Sequence, residues 1–135
     1  MTLKVITDDT YRVTSWASPH LEDMEWSDAF AFGYEFDDEL VGAVIFTEPS
    51  KNDIHVSVVC TNSVWWHRRY IKVLFNYAFE TCGCTRISAL VKASNAKSRK
   101  LLRGLGFQQE GVIRQYHKPE DGIVYGILQS ECKWI

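Results

Sequence analysis

Five side chains of the types that transfer protons lie on predicted strands of this 135-residue chain, namely Glu35, Glu48, His55, Tyr116 and Tyr125. A histidine, or a carboxylate whose pKa is raised by apolar neighbours, can accept a proton directly or through water, and a tyrosine can donate one. The first three are therefore candidate general bases and the two tyrosines candidate general acids. The commoner alternative for each carboxylate is a strand residue that faces solvent.

A second group of polar residues lies in the segment Asn95–Arg114, NAKSRKLLRGLGFQQEGVIR. Asn95 and Ser98 are about one helical turn apart, so an amide and a hydroxyl share one face of a predicted helix. They can bind a polar ligand, or Asn95 can simply cap the helix while Ser98 faces water. The predicted cap of this helix is Ser94 or Asn95. Gly106 allows a left-handed helix end, after which Phe107 begins a strand by burying its ring.

The hydrophobic pattern predicts the elements that position these residues. Two segments near the start, Thr10–Trp16 and Pro19–Trp26, are expected to form one or two short helices. Three antiparallel strands follow, at 29–36, 39–49 and 54–60. A long helix at 64–83, a parallel strand at 87–91 and a second helix at 96–105 come next, and two final strands lie on either side of the turn 118–122. The chain is thus predicted to form one mixed α+β domain over residues 1–135.

The segment Asn95–Arg114 resembles the GNAT superfamily of acetyltransferases, which carry N-x-x-S-x-x-[LV]-L-x-x-L-G-F-x-x-E-G-x-x-R. It is most similar to the branch that acetylates ribosomal proteins and N-terminal amines, and the resemblance covers about residues 30–135. It implies the GNAT fold, with a central mixed sheet of about six strands flanked by helices. It also implies acetyl-CoA as co-substrate and transfer of the acetyl group to a primary amine of a protein or small molecule.

The same resemblance implies which residues form the site. Two parallel strands are expected to splay apart, so that the pantetheine arm pairs with a strand edge at Val58, Val59 and Cys60. Asn95 and Ser98 are expected to contact that arm. A backbone N–H near Val59 or Cys60 is expected to hold the oxyanion that develops during acetyl transfer.

Two positions depart from the family pattern. The stretch Trp65–Tyr70 corresponds to the glycine-rich phosphate loop but contains no glycine, with His67 and Arg69 where glycines are usual. Arg68 and Arg69 at a helix N-terminus can compensate by binding phosphate through charge-assisted hydrogen bonds, or they form a solvated face. Leu102 occupies the position at which many members have a tyrosine that protonates the thiolate.

The glycine-free loop leaves a second class open, a catalytically inactive binding or structural module on the same fold. This alternative predicts a partner or a homodimer and an exposed aromatic patch from Trp16, Trp26, Trp65 and Trp66. A chain of this kind also resembles acetyltransferase-like proteins encoded by phages, which would act in the host cytoplasm.

The bulk composition sets limits on partners and location. A formal net charge of −2 with 24% charged residues predicts neither a nucleic-acid nor a membrane partner, and the first residues lack a signal-like apolar run, so a cytoplasmic protein is expected. Four cysteines without paired spacing predict inert thiols and no metal site. Cys82-Gly83-Cys84 near His67 is the one arrangement that suggests a metal, and it lacks a fourth ligand.

Overall fold

The computed structural model describes residues 3–21, 26 and 28–135, and its centre is a seven-stranded mixed sheet. The strands are β1 (Leu3–Ile6), β2 (Phe30–Phe36), β3 (Glu39–Thr47), β4 (Asp53–Cys60), β5 (Arg86–Lys92), β6 (Gln108–His117) and β7 (Glu120–Leu128). They lie side by side in the order β1-β2-β3-β4-β5-β7-β6. The α-helices are α1 (Thr10–Ala17), α2 (Arg68–Asn76) and α3 (Ala96–Leu105). The predicted α+β class and mixed sheet are confirmed.

The strand count corrects the expectation of about six, because β1 was not predicted. Its four residues pair antiparallel with β2, from Leu3 opposite Phe36 to Ile6 opposite Gly33. So short a strand carries little periodicity of its own, and its partner is about 30 residues away in the chain. The predicted helix near Thr10 is present and is capped by Asp9, whose carboxylate accepts the Arg12 N–H at 3.1 Å. The predicted helix Pro19–Trp26 overlaps a 3₁₀ turn that covers Ser18–Leu21, and its residues 22–25 lie outside the described residues.

The long helix predicted over 64–83 is divided into three parts. A 3₁₀ turn covers Ser63–Trp65, α2 begins only at Arg68, and a π-helical turn covers Tyr77–Thr81. His67 stands between the first two parts in extended conformation, with φ −123° and ψ 151°. Gly83 follows the last turn at φ 72°, as expected of the glycine that ends this helix.

The two faces of the sheet bury different cores. The larger core packs α2 and α3 against one face and includes Leu74, Leu102 and Ile127. The smaller core packs Val13 and Ala17 of α1 against Ala31, Ala43, Ile45 and Val59 on the opposite face. Both faces of the sheet are thus covered by helices. A site can open where the neighbouring middle strands β4 and β5 separate from each other.

β4 and β5 run parallel, as the predicted crossover through α2 requires, but they stay paired for only three residues. The rungs are Asp53 with Arg86, Ile54 with Ile87, and His55 with Ser88. Beyond this point β4 keeps pairing with β3 as far as Cys60, and β5 keeps pairing with β7 as far as Lys92. The two strands therefore separate toward their carboxyl ends and leave a gap in the sheet.

Candidate active site

A cavity of about 280 Å³ lies at this gap. Its wall combines residues of both separated strands, the start of α3, the end of the first helical region and the tip of the β6–β7 hairpin. These are His20, Leu21, Ser57, Val58, Leu90, Val91, Lys92, Asn95, Ser98, Leu101, Leu102, Tyr116 and His117. The sequence-predicted residues Val58, Asn95, Ser98 and Tyr116 are thereby brought together in one place.

The free edge of β4 presents backbone groups to this cavity. Thr61 donates its N–H to Val41 O at 2.9 Å, and this pair continues the β3–β4 register of Ala43 with Val59 and Ile45 with Ser57. Because bonded and non-bonded pairs alternate in an antiparallel ladder, the N–H groups of Val58 and Cys60 point away from β3 and into the gap. The N–H of Val59 points to β3 instead, so the predicted edge is narrowed to Val58 and Cys60.

The α3 wall carries the amide and hydroxyl that the sequence placed on one helix face. Asn95 caps the helix, since its Oδ1 accepts the backbone N–H of Ser98 at 3.1 Å. Capping and cavity lining thus occur together in Asn95 and are not alternatives. Leu102 is buried and lines the cavity at the position where many family members have a tyrosine.

The residues at the start of α2 stand apart from the cavity wall. His67, Arg68 and Arg69 are exposed, and the guanidinium of Arg68 donates to Lys133 O at 2.5 Å while lying 5.9 Å from the Trp134 ring centroid. Arg69 lies over the ring of Tyr70 at 5.3 Å. The N–H groups of Tyr70 and Ile71 both donate to His67 O at 3.0 Å. The N–H groups of Arg68 and Arg69 precede the first bonded position and form the anion-accepting end of the helix dipole.

The candidate bases fall in two different places. His55 occupies the last β4–β5 rung before the gap, and its Nδ1 lies 3.3 Å from Glu48 Oε2 and its Nε2 3.8 Å from Asp53 Oδ2. Glu35 is buried and accepts from Arg12 Nη1 at 2.7 Å. The expectation that Glu35 faces solvent is wrong, because α1 covers it and supplies the cation.

The two candidate acids also differ in position. Tyr116 is 39% exposed and lines the cavity. Tyr125 is 1% exposed and lies under α3, where its hydroxyl accepts from Arg99 Nε at 3.0 Å. Proton donation into the cavity therefore favours Tyr116 over Tyr125.

Several cavity residues were not singled out from the sequence, chiefly Ser57, His20, Lys92 and His117. Each comes from a different element, and the strand gap that unites them is a property of pairing between β4 and β5. The available signal was the resemblance itself, which implied where strands separate but not which flanking side chains line the opening.

The cysteines are free thiols in different environments. Burial raises the pKa of Cys60 above its ordinary value, and the nearby Lys97 partly opposes this. Cys82 is exposed and Cys84 is buried, and no group of three His, Cys, Asp or Glu side chains suited to a metal is found in the described ranges.

Among the helices described, none is long and apolar enough to cross a bilayer. Trp65 is fully buried, which removes it from the predicted exposed aromatic patch.

Comparison with known sequences gives a family match. A model of the acetyltransferase (GNAT) domain matches residues 5–108. The uncharacterized N-acetyltransferase YoaA of Bacillus subtilis (strain 168) is 41% identical over 63 residues, which are 44% of this chain and 36% of YoaA. The uncharacterized N-acetyltransferase p20 of Bacillus licheniformis is 37% identical over 65 residues, 45% of this chain and 36% of p20. The matched stretch thus spans just over a third of these relatives.

Comparison with solved structures gives the same architecture. A mutant form of the spermidine N-acetyltransferase SpeG from Vibrio cholerae has a TM-score of 0.76 at 17% identity, over 100% of this chain and 98% of that one. A ribosomal-protein-S5-alanine acetyltransferase from Vibrio fischeri has a TM-score of 0.66 at 21% identity, over 97% and 94% of the two chains. At these identities the match shows a shared fold.

Proposed function

The chain belongs to the GNAT acetyltransferase family, and on this basis we propose that it transfers the acetyl group of acetyl-CoA to a primary amine of a protein or small molecule. The observation that carries the proposal is the gap between β4 and β5. There, the strand edge at Val58 and Cys60 has no partner strand, and Val58, Asn95 and Ser98 line the same cavity. An extended amide-containing arm can pair with such an edge as an added strand.

Two parts of the chain support acetyl-CoA as the ligand. The cavity wall combines apolar side chains such as Leu101 and Leu102 with polar ones such as Asn95 and Ser98, a mixture that suits an arm with both methylene and amide groups. Apart from the cavity wall, the start of α2 offers the N–H groups of Arg68 and Arg69 to an anion. The proposed phosphate contacts are therefore backbone N–H groups at a helix N-terminus, with the exposed side chains of His67 and Arg69 beside them.

The proposed chemistry begins with an uncharged amine. Acetyl-CoA supplies a thioester, whose acetyl carbon gains a bond to the amine nitrogen as its bond to sulfur breaks. We assign proton removal from the amine to His55, acting through water, because His55 stands at the last rung before the gap and is flanked by Glu48 and Asp53.

Two further roles complete the proposed reaction. The N–H groups of Val58 and Cys60 face the gap, where a donor can hold the oxyanion of the acetyl carbonyl. Tyr116 lines the cavity from the hairpin tip and is the proposed proton donor to the departing thiolate. In this proposal Tyr116 takes the role of the tyrosine that many family members have at the position of Leu102.

Calorimetric titration with acetyl-CoA tests the proposal. We expect saturable binding in the micromolar range, and no heat at millimolar acetyl-CoA contradicts it. Asn95→Asp retains the oxygen that caps α3 but loses the amide N–H₂, so it is expected to weaken binding without lowering the melting temperature. Thr61→Ala, which removes an unrelated hydroxyl bound to Val41 O, serves as a matched surface control.

A further inference from the structure

The turn between β5 and α3 is held by groups that belong to other parts of the chain. Ala93 N–H donates to Asp121 O at 2.9 Å, and Ser94 N–H donates to Glu120 Oε1 at 2.9 Å. From the helix side, Arg99 Nη1 donates to Ala93 O at 3.0 Å. Both successive N–H groups of this turn are thus bound by the β6–β7 hairpin.

This turn determines where Asn95 lies. Asn95 N–H donates to Lys92 O at 2.9 Å, and the backbone at Asn95 has φ −79° and ψ 73°, outside the helical and extended regions. The side chain then caps α3 through Ser98 and lines the cavity. A shift of the turn therefore moves Asn95 relative to the gap between β4 and β5.

Glu120 joins two opposite walls of the cavity. It lies opposite His117 in the β6–β7 register, and His117 and Tyr116 line the cavity from the hairpin side. Its carboxylate crosses to Ser94 on the α3 side. Hydrogen bonds from the Ser94 side chain and backbone lower the pKa of Glu120 below its ordinary value, with nearby Lys92 and His117 acting in the same direction. A glutamate is ionised at neutral pH in any case, and the carboxylate is the form that accepts hydrogen bonds best.

We propose that Glu120 is a positioning residue for the acetyl-CoA site, which holds the Ala93–Asn95 turn so that Asn95 faces the strand gap, and which couples that turn to the hairpin carrying Tyr116 and His117. This inference rests on the proposed function. It places the proposed cofactor contact and the proposed proton donor on one hydrogen-bonded unit. A displacement of the β6–β7 hairpin then moves Tyr116 and His117 on one wall of the cavity, and through Glu120 it also moves Asn95 on the α3 wall and changes the affinity for acetyl-CoA.

The test compares acetyl-CoA dissociation constants of purified variants by calorimetry. Glu120→Ala is expected to weaken binding about fivefold to tenfold, whereas Glu120→Gln, whose amide oxygen still accepts from Ser94 N–H, stays within about twofold of wild type. Melting temperatures are measured in parallel. Glu110→Ala is the matched control, because Glu110 is a carboxylate of the same hairpin that binds Arg86 at 2.7 Å and does not line the cavity.

A double-mutant cycle separates positioning from general destabilisation. If Glu120 acts through Asn95, Glu120→Ala has no further effect on affinity in an Asn95→Ala background. If the wild type binds acetyl-CoA and Glu120→Ala binds it with the same affinity, the inference is overturned and the proposed function stands. Fully additive losses in the double mutant, or an equal loss in Glu110→Ala, also overturn it. Absence of binding by the wild type instead overturns the proposed function.

Discussion

The indole of Trp65 lies flat on the phenol ring of Tyr34, with ring centroids 4.1 Å apart and planes 13° apart. Tyr34 in turn donates its hydroxyl hydrogen to Tyr70 O at 2.9 Å, in the first turn of α2. The segment that corresponds to the family's glycine-rich loop is thus anchored to the sheet by aromatic packing. This anchoring fixes the N-terminus of α2 in a chain that has no glycine there.

Anchoring by Trp65 requires a glycine on the neighbouring strand. The ring nitrogen and adjoining carbons of Trp65 lie against Gly42, so closely that a Cβ at residue 42 would overlap them. We expect Gly42→Ala to lower the free energy of unfolding by about 1–3 kcal/mol, the usual cost of overpacking. Urea denaturation measures this loss.

Gly104→Ala is the control for that experiment. Gly104 lies within α3, and an added Cβ there has open space around it. Alanine in a helix interior is favoured over glycine by about 1 kcal/mol, so this variant is expected to gain stability. The stability gained in Gly104→Ala need not equal the stability lost in Gly42→Ala. An unchanged urea midpoint in Gly42→Ala contradicts the packing described for Trp65.

The Arg12–Glu35 pair gives a second prediction. Glu35 has a side chain only 10% exposed, and its partner on α1 is 41% exposed. Arg12→Ala leaves the carboxylate covered and without its cation, which is expected to cost about 1–3 kcal/mol of unfolding free energy. Thermal and urea unfolding of the variant measure this.

A double variant tests the cause. Adding Glu35→Gln to Arg12→Ala removes the charge that the first substitution leaves unpaired, so we expect part of the stability to return. If the double variant is less stable than Arg12→Ala alone, the loss arises from packing of the arginine stem and not from the unpaired charge of Glu35.

Local chemistry explains what could be predicted from the sequence. Ser94 or Asn95 was expected to cap α3, and Asn95 does so. Gly106 beyond the end of α3 adopts φ 104°, because caps and left-handed helix ends depend on the residue at that position. The hairpin between β2 and β3 likewise followed from two apolar runs around Asp37 and Asp38. Phe107 is buried, as expected of a residue that begins a strand.

Non-local pairing explains what could not be predicted. β1 depends on the edge of β2, and the division of the predicted long helix before Arg68 depends on Trp65 reaching Tyr34. The resemblance implied an edge at residues 58–60, but only the register with β3 shows that Val59 turns its N–H away from the gap. Side-chain roles within the site depend on such register.

Stability is expected to fall in alkaline solution. Burial raises the pKa of the Cys60, Cys84 and Cys132 thiols above their ordinary value of about 9, and it raises the pKa of Tyr77 to about 12. Burial also raises the pKa of Tyr34. These groups keep their protons longer in the folded state, so their contribution is full below the unfolded-state pKa and is lost as pH rises toward the folded-state pKa.

Urea midpoints at pH 7, 9.5 and 11 measure this loss. The thiols act from about pH 9 and the tyrosines from about pH 10, each by at most about 1.4 kcal/mol per pH unit. Tyr34→Phe lowers stability at pH 7 by the lost hydrogen bond to Tyr70, but it is expected to flatten the decline above pH 10. An equally steep decline in Tyr34→Phe assigns the alkaline loss to other groups.

Adjacent valines on β4 allow the proposed strand edge to be tested with one chemical change at two positions. Replacing a residue by its α-hydroxy acid converts its backbone N–H to an ester oxygen and leaves the side chain intact. At Val59 the deleted N–H points to Ala43 on β3, so we expect a loss of about 1 kcal/mol in unfolding free energy. At Val58 the deleted N–H faces the cavity, so stability should change less while acetyl-CoA affinity falls by up to about tenfold.

The two esters have the same valine side chain, so differences between them report mainly the direction of the deleted N–H. Each ester also weakens the carbonyl of the preceding residue, but deletion of the donor is the larger change. Calorimetry with acetyl-CoA and urea denaturation on both proteins give the four values needed. If the Val59 ester loses affinity and the Val58 ester loses stability, the register of the β3–β4 ladder at the gap is opposite to the one described, and the cofactor edge moves to Val59.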